Sequence, residues 1–199
     1  MNLKLLAPIT IIGIVLVVVA ISFEDNSTSR VIFVNTGESQ NSEPIEIEMM
    51  ETNGVKHLIP LDKIKGGGPP KDGIPSIDNP IFVNAVDANF MSDSDIVIGL
   101  EINGETKAYP LFILVWHEIV NDTVGNTPVS VTYCPLCYTN QVFERIIDGQ
   151  EVEFGTSGKL YNSNLLMYDR YTESYWSQAL GMAVKGELTG YQLDLVPFD

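Results

Sequence analysis

Two strand-like runs, Ile96–Ile102 and Glu105–Leu111, flank the dipeptide Asn103-Gly104, and this pairing constrains the fold more than any other feature of the 199-residue chain. A two-residue hairpin link needs positive φ at both central positions so that its twist matches the strands, and Asn-Gly meets that need at low cost. A second turn dipeptide, Asp148-Gly149, separates Gln141–Ile147 from Gln150–Phe154. Frequent Gly/Pro turns punctuate the remainder, and Leu165–Tyr168 reads as a buried strand. The pattern predicts a mainly β fold, with α+β as the alternative: one β-rich domain built on hairpins. Leu111–Val115 is apolar throughout and fits a short helix or a buried strand equally well.

The Gly-rich stretch Lys65-Gly-Gly-Gly-Pro-Pro-Lys-Asp-Gly-Ile-Pro75 is a turn region, not a phosphate loop. It lacks the G-x-x-x-x-G-K-[ST] spacing, and Pro69 and Pro70 remove backbone donors. A net charge of −15 leaves no basic surface to neutralise phosphates, so nucleic acid is excluded as a partner. A hydrophobic content of 45 % is enough for a packed core and argues against wholesale disorder.

Leu5–Ile21 is an uncharged apolar run preceded by Lys4 and followed by Glu24 and Asp25. It is long for a signal peptide and close to the length of a transmembrane helix, so residues 1–23 read as an uncleaved signal-anchor. Ala20-Ile21-Ser22 is the cleavage site of the alternative reading, a signal peptide and a secreted domain. The charge order places the domain on the extracytoplasmic side of the cell membrane, held there by the amino-terminal helix. Residues 24–55 read as an acidic polar linker with one short strand at Val31–Val34, and residues 56–199 as the globular domain. Asn26 and Asn121 begin N-glycosylation sequons.

The specialised chemistry is concentrated in Val129-Ser-Val-Thr-Tyr-Cys-Pro-Leu-Cys-Tyr138, which contains both cysteines of the chain. Cys134 and Cys137 fit three chemistries. With the imidazole of His117, two thiolates make a three-ligand site for copper or zinc, with a fourth position open; this is the preferred reading. As a dithiol, the pair would exchange disulfides with partners, Pro135 constraining the loop. As a static bridge in an accessory or binding subunit, it would only staple a turn. The residues after Cys137 read as strand, so the helix amino terminus that activates a thioredoxin-like thiol is missing. Glu118, beside His117, is a candidate acceptor for the imidazole, and Trp116 suggests a partly buried setting. Tyr133, Tyr161, Asn162, Asp169 and Arg170 are candidates for lining a pocket around the site, with Asp169-Arg170 also readable as an ion pair closing a turn. No nucleophile–base–acid set is evident, and the protein partner is unassigned.

Several ordered motifs carry a resemblance. Asp72-Gly-Ile-Pro, Trp116-His-Glu-Ile-Val-Asn-Asp, Val131-Thr-Tyr-Cys-Pro-Leu-Cys, Phe154-Gly-Thr-Ser-Gly, Leu160-Tyr-Asn-Ser-Asn-Leu-Leu-Met-Tyr-Asp-Arg and Ser174-Tyr-Trp-Ser-Gln stand in this order. Together they resemble the domain of unknown function 3179 of bacterial and archaeal envelope proteins, over about residues 70–190. The resemblance implies an envelope protein and brings no activity with it.

Overall fold

The computed structural model describes residues 30–34 and 45–199. The apolar run Leu5–Ile21, the anchor and cleavage site read from it, and the Asn26 sequon lie outside the described residues. Among the described residues, no helix is long and apolar enough to cross a membrane.

The described residues begin with β1 (Arg30–Val34), β2 (Ile45–Thr52), β3 (Val55–His57), β4 (Lys65–Gly66) and β5 (Ile77–Asp78). The hairpin β6 (Val97–Ile102) and β7 (Glu105–Pro110) leads into the short helix α1 (Leu111–His117). Next come β8 (Ile119–Val124), β9 (Thr127–Cys134), β10 (Thr139–Glu144), β11 (Ile146–Ile147) and β12 (Gln150–Glu151). The last strands are β13 (Phe154–Tyr161), β14 (Asn164–Asp169), β15 (Tyr175–Ser177) and β16 (Met182–Lys185). Among the described residues strand makes up 47 % and helix 8 %, so the fold is mainly β.

The turns form where the local chemistry requires them. Asn103 and Gly104 have φ of 50° and 81°, and Asp148 and Gly149 have φ of 51° and 80°. Asn53-Gly54 repeats the arrangement between β2 and β3, with φ of 52° and 79°. The hairpin at Asp148-Gly149 is shorter than expected. Gln141–Glu144 pairs with β9, leaving only Ile146–Ile147 against Gln150–Glu151. Pairing with β9 buries Val142 and Phe143 in two different core clusters, which a longer outer hairpin would forfeit. The stretch expected to be a polar linker also contributes more than one strand. β2 pairs with both β1 and β3, and β3 joins β16, extending the main sheet.

Eight strands form one sheet in the order β1-β2-β3-β16-β15-β14-β13-β4. Four form a second, β10-β9-β8-β5, in which only β5 runs parallel to its neighbour. The second sheet is covered on both faces. On one side, Cys134, Phe143 and Ile119 meet Phe154, Met167 and Trp176 of the large sheet. On the other, Val129, Val131 and Tyr133 pack with Ile98, Leu100, Tyr109 and Leu114 from the β6–β7 hairpin and α1. Alternation along β9 therefore sends every second side chain into a different core, and Val129–Cys134 are all buried. Phe143, Phe154 and Trp176 are fully buried, each contributing about 2–3 kcal/mol. Phe154 and Trp176 meet edge to face at 5.5 Å.

The Gly/Pro turn region crosses the large sheet at a point where glycine is required. A Cβ on Gly155 would lie 2.6 Å from Asp72 Oδ1 and 2.7 Å from the Tyr168 ring. Gly158 has φ of 67°, and a Cβ there would meet Pro69 O at 2.4 Å. Through that contact, Tyr168 donates to Asp72 Oδ2 at 2.6 Å and Thr156 donates to Ile74 O at 2.7 Å. Asp72-Gly-Ile-Pro and Phe154-Gly-Thr-Ser-Gly are thus two halves of one packing unit.

Candidate functional site

Cys134-Pro-Leu-Cys137 is a β-turn. Cys134 is the last residue of β9, Thr139 opposite it is the first of β10, and Cys137 N–H donates to Cys134 O at 3.3 Å. Proline at the second position of such a turn pre-sets the required φ. Tyr138 closes the loop in the left-handed region with φ of 54°. A β-turn brings its first and fourth Cα atoms within about 7 Å, a separation that a disulfide can bridge with little adjustment. Both cysteines are free thiols in this structure.

Their surroundings differ. Cys134 is 1 % exposed, and its Sγ lies 3.8 Å from Ser163 O. Burial, reinforced by its hydrogen bond with Cys137, pushes the Cys134 thiol above the ordinary range. Cys137 is half-buried, between the exposed side chains of Leu136 and Tyr138. Its Sγ accepts from Thr139 Oγ1 at 3.0 Å and from Asn164 Nδ2 at 3.3 Å. Burial opposes ionisation here too, but hydrogen bonds from Cys134, Thr139 and Asn164 outweigh it and hold Cys137 below the usual thiol range. Hydrogen-bond donors therefore do for Cys137 what a helix amino terminus does in other redox folds.

The expected third ligand is held through one ring nitrogen. His117 is the last residue of α1, and its Nδ1–H donates to Pro75 O at 2.8 Å; a carbonyl can only accept, which fixes the tautomer. Among the described residues, no three His, Cys, Asp or Glu side chains are grouped to hold a metal ion. Glu118 does not orient this imidazole, since Pro75 does so. Glu118 instead ends α1 with φ of 59°, its N–H donating to Leu114 O and its carbonyl accepting from Tyr133 N. Burial pushes its carboxyl up to about 7. Trp116 stands exposed rather than partly buried.

The candidate pocket residues do not converge. Tyr133 is buried in the core under the β6–β7 hairpin. Tyr161 packs against the Ile59, Leu166 and Val184 cluster, and Asn162 and Ser163 make the β13–β14 turn with φ of 49° and 64°. Asp169 and Arg170 are not an ion pair with each other. Asp169 is fully buried and accepts from Trp176 Nε1, while Arg170 bridges Asp78 and Glu153 at 2.8 and 2.7 Å. Asp169 is the last residue of β14 and Arg170 lies in the turn beyond it, where its guanidinium reaches the two other carboxylates. The Asn121 sequon is closed. Asn121 is 3 % exposed, its Nδ2 donating to Asp78 Oδ1 and Phe154 O, so the folded chain has no room there for a glycan.

Thr139 and Gln178 are the site residues that sequence reasoning missed, whereas Asn164 ends the Tyr161-Asn-Ser-Asn stretch, which reads as pocket lining or as turn. Gln178 closes the Ser174-Tyr-Trp-Ser-Gln motif and reads as a core or cap residue. The only local signal is a hydroxyl two residues after Cys137.

A family model described as "Protein of unknown function (DUF3179)" matches residues 71–199. No curated protein and no solved structure matches the chain.

Proposed function

This chain belongs to the DUF3179 family, and we propose that it carries out thiol–disulfide exchange through the Cys134-Pro-Leu-Cys137 turn. The inequality of the two sulfurs carries this reading: one is half-buried and held by hydrogen-bond donors, the other buried beneath it. Leu136 and Tyr138, 63 % and 83 % exposed, leave that side of the turn open to a partner.

The chemistry runs in two balanced steps. Cys137 thiolate attacks one sulfur of a partner disulfide; a new S–S bond forms, the partner bond breaks, and one partner thiolate leaves. Cys134 then gives up its proton to solvent and attacks Cys137 Sγ, closing the Cys134–Cys137 bridge and releasing the second partner thiolate. Both thiolates are protonated by water. Two electrons pass from the dithiol to the partner, and a second dithiol reverses the sequence. The nucleophile is thus the second cysteine of the motif.

The open turn favours exchange over a static staple. Among the described residues no three His, Cys, Asp or Glu side chains are grouped to hold a metal ion, which favours exchange over the copper or zinc triad. The apolar run Leu5–Ile21 supports a membrane-anchored site on the extracytoplasmic side, where disulfides persist. The test uses the full chain, purified anaerobically without chelator and equilibrated in glutathione buffers. The expected midpoint lies between about −270 and −120 mV, and Cys134→Ser is expected to trap a mixed disulfide at Cys137. Stoichiometric copper or zinc, lost in both Cys134→Ser and His117→Ala, would restore the metal reading. A bridge with a potential below about −300 mV would make the turn a structural staple.

A further inference from the structure

Gln178 is 0 % exposed and anchors a hydrogen-bond chain that ends on the reactive sulfur. Its two amide atoms are identified by a backbone group. The atom 3.1 Å from Thr139 O must be Nε2, because a carbonyl can only accept. Oε1 is therefore the atom 2.8 Å from Asn164. The same logic applies one residue further along. Ala179 N–H can only donate, so the Asn164 atom 3.0 Å away is Oδ1, and Nδ2 faces both Gln178 Oε1 and Cys137 Sγ. Neither amide can flip without opposing two acceptors or two donors, so the group presented to the sulfur is a donor. Thr132 Oγ1 accepts from Gln178 Nε2 at 3.1 Å and donates to Gln141 O, which closes the far end of the chain.

We infer that Asn164 and Thr139 form a donor pocket that holds the Cys137 sulfur as an anion, and that Gln178 is the positioning residue that keeps Asn164 aimed at it. The inference rests on the exchange function proposed above and names the groups that make Cys137 the attacking sulfur. Stabilising the thiolate also stabilises the reduced form, so the pocket makes the pair a stronger oxidant.

The test is the pH dependence of iodoacetamide alkylation at Cys137, read by peptide mass spectrometry on the reduced full chain. Thr139→Val and Asn164→Leu are each expected to slow alkylation at pH 7 about tenfold, one pH unit of midpoint. Thr139→Ser keeps a hydroxyl and is expected to match the parent. Gln178→Met is expected to shift the midpoint in the same direction by a smaller amount, and all three disruptive variants should move the redox midpoint to more negative values. Unchanged profiles in both Thr139→Val and Asn164→Leu, in chains that melt cooperatively, would reduce the network to a packing device. These two variants decide the matter even if Gln178→Met fails to fold. Alkylation reads the thiolate itself, so a shifted profile in a chain that exchanges with no disulfide would overturn the function and leave the pocket standing.

Discussion

Around Asp169, the hydrogen bonds join buried and half-buried groups to one another; along Gln178 and Asn164, one branch runs to Cys137 Sγ, a titratable atom that itself reaches Cys134 O at 3.9 Å. Asp169 is 0 % exposed, its carboxylate accepting from Trp176 Nε1 at 2.8 Å, Thr172 N at 2.5 Å and Thr172 Oγ1 at 3.0 Å. The second network begins equally buried, at Gln178, and ends on a half-buried atom beside exposed side chains. Both use β14 and the segment around β15, so strand pairing positions them alike. What separates them is the last acceptor. A network that satisfies itself contributes order to the fold, whereas one that ends on a titratable sulfur also sets that sulfur's reactivity.

The contrast is broken most forcefully at its closed end. Asp169→Ala leaves the Trp176 indole N–H and the Thr172 N–H without their acceptor, and a loss of about 2–4 kcal/mol is expected in urea unfolding. Among chains still folded, alkylation at Cys137 should be unchanged. A loss of alkylation matching that of Asn164→Leu would merge the two networks into one.

The cysteines sharpen the contrast inside the open network. Cys134→Ser places a hydroxyl in an apolar core and is expected to cost about 1–2 kcal/mol, whereas Cys137→Ser should stay within about 0.5 kcal/mol. Equal costs in the same unfolding series would mean that the two sulfurs are held alike.

Glu118 tests pH behaviour away from both networks. Its carboxyl sits at about 7 in the fold against 4.5 in the free side chain, so the folded chain holds a proton that the unfolded chain releases between those values. Its contribution is full below about pH 4.5 and is lost as the pH rises through 7. Glu118→Gln should therefore match the parent at pH 4 and melt a few degrees higher at pH 8. Equal melting temperatures at pH 8 would place that carboxyl in water.

Sheet class, hairpin positions and the C-P-L-C loop were legible because each rests on local backbone preference. Asn103-Gly104 and Asp148-Gly149 favour the positive φ they adopt, and Pro135 favours the turn that brings the cysteines together. The β2 strand was less legible, since Ile45-Glu-Ile-Glu alternates within an otherwise polar stretch. The hydrogen-bond partners of the cysteines were not legible for a different reason. The donors to Cys137 Sγ come from Thr139 on β10 and from Asn164 on β14, a strand distant in sequence.

The sequence alone determined the turns, the mainly β class and the position of both sulfurs on one loop, because these follow from φ preferences within a few residues. Only the tertiary structure decided what the sulfurs meet. Asn164 reaches Cys137 across 27 residues, and Gln178 reaches Thr139 across 39. Such contacts depend on the register of β9 with β10 and of β13, β14 and β15, and that register is set by burying Phe143, Phe154 and Trp176 in a shared core.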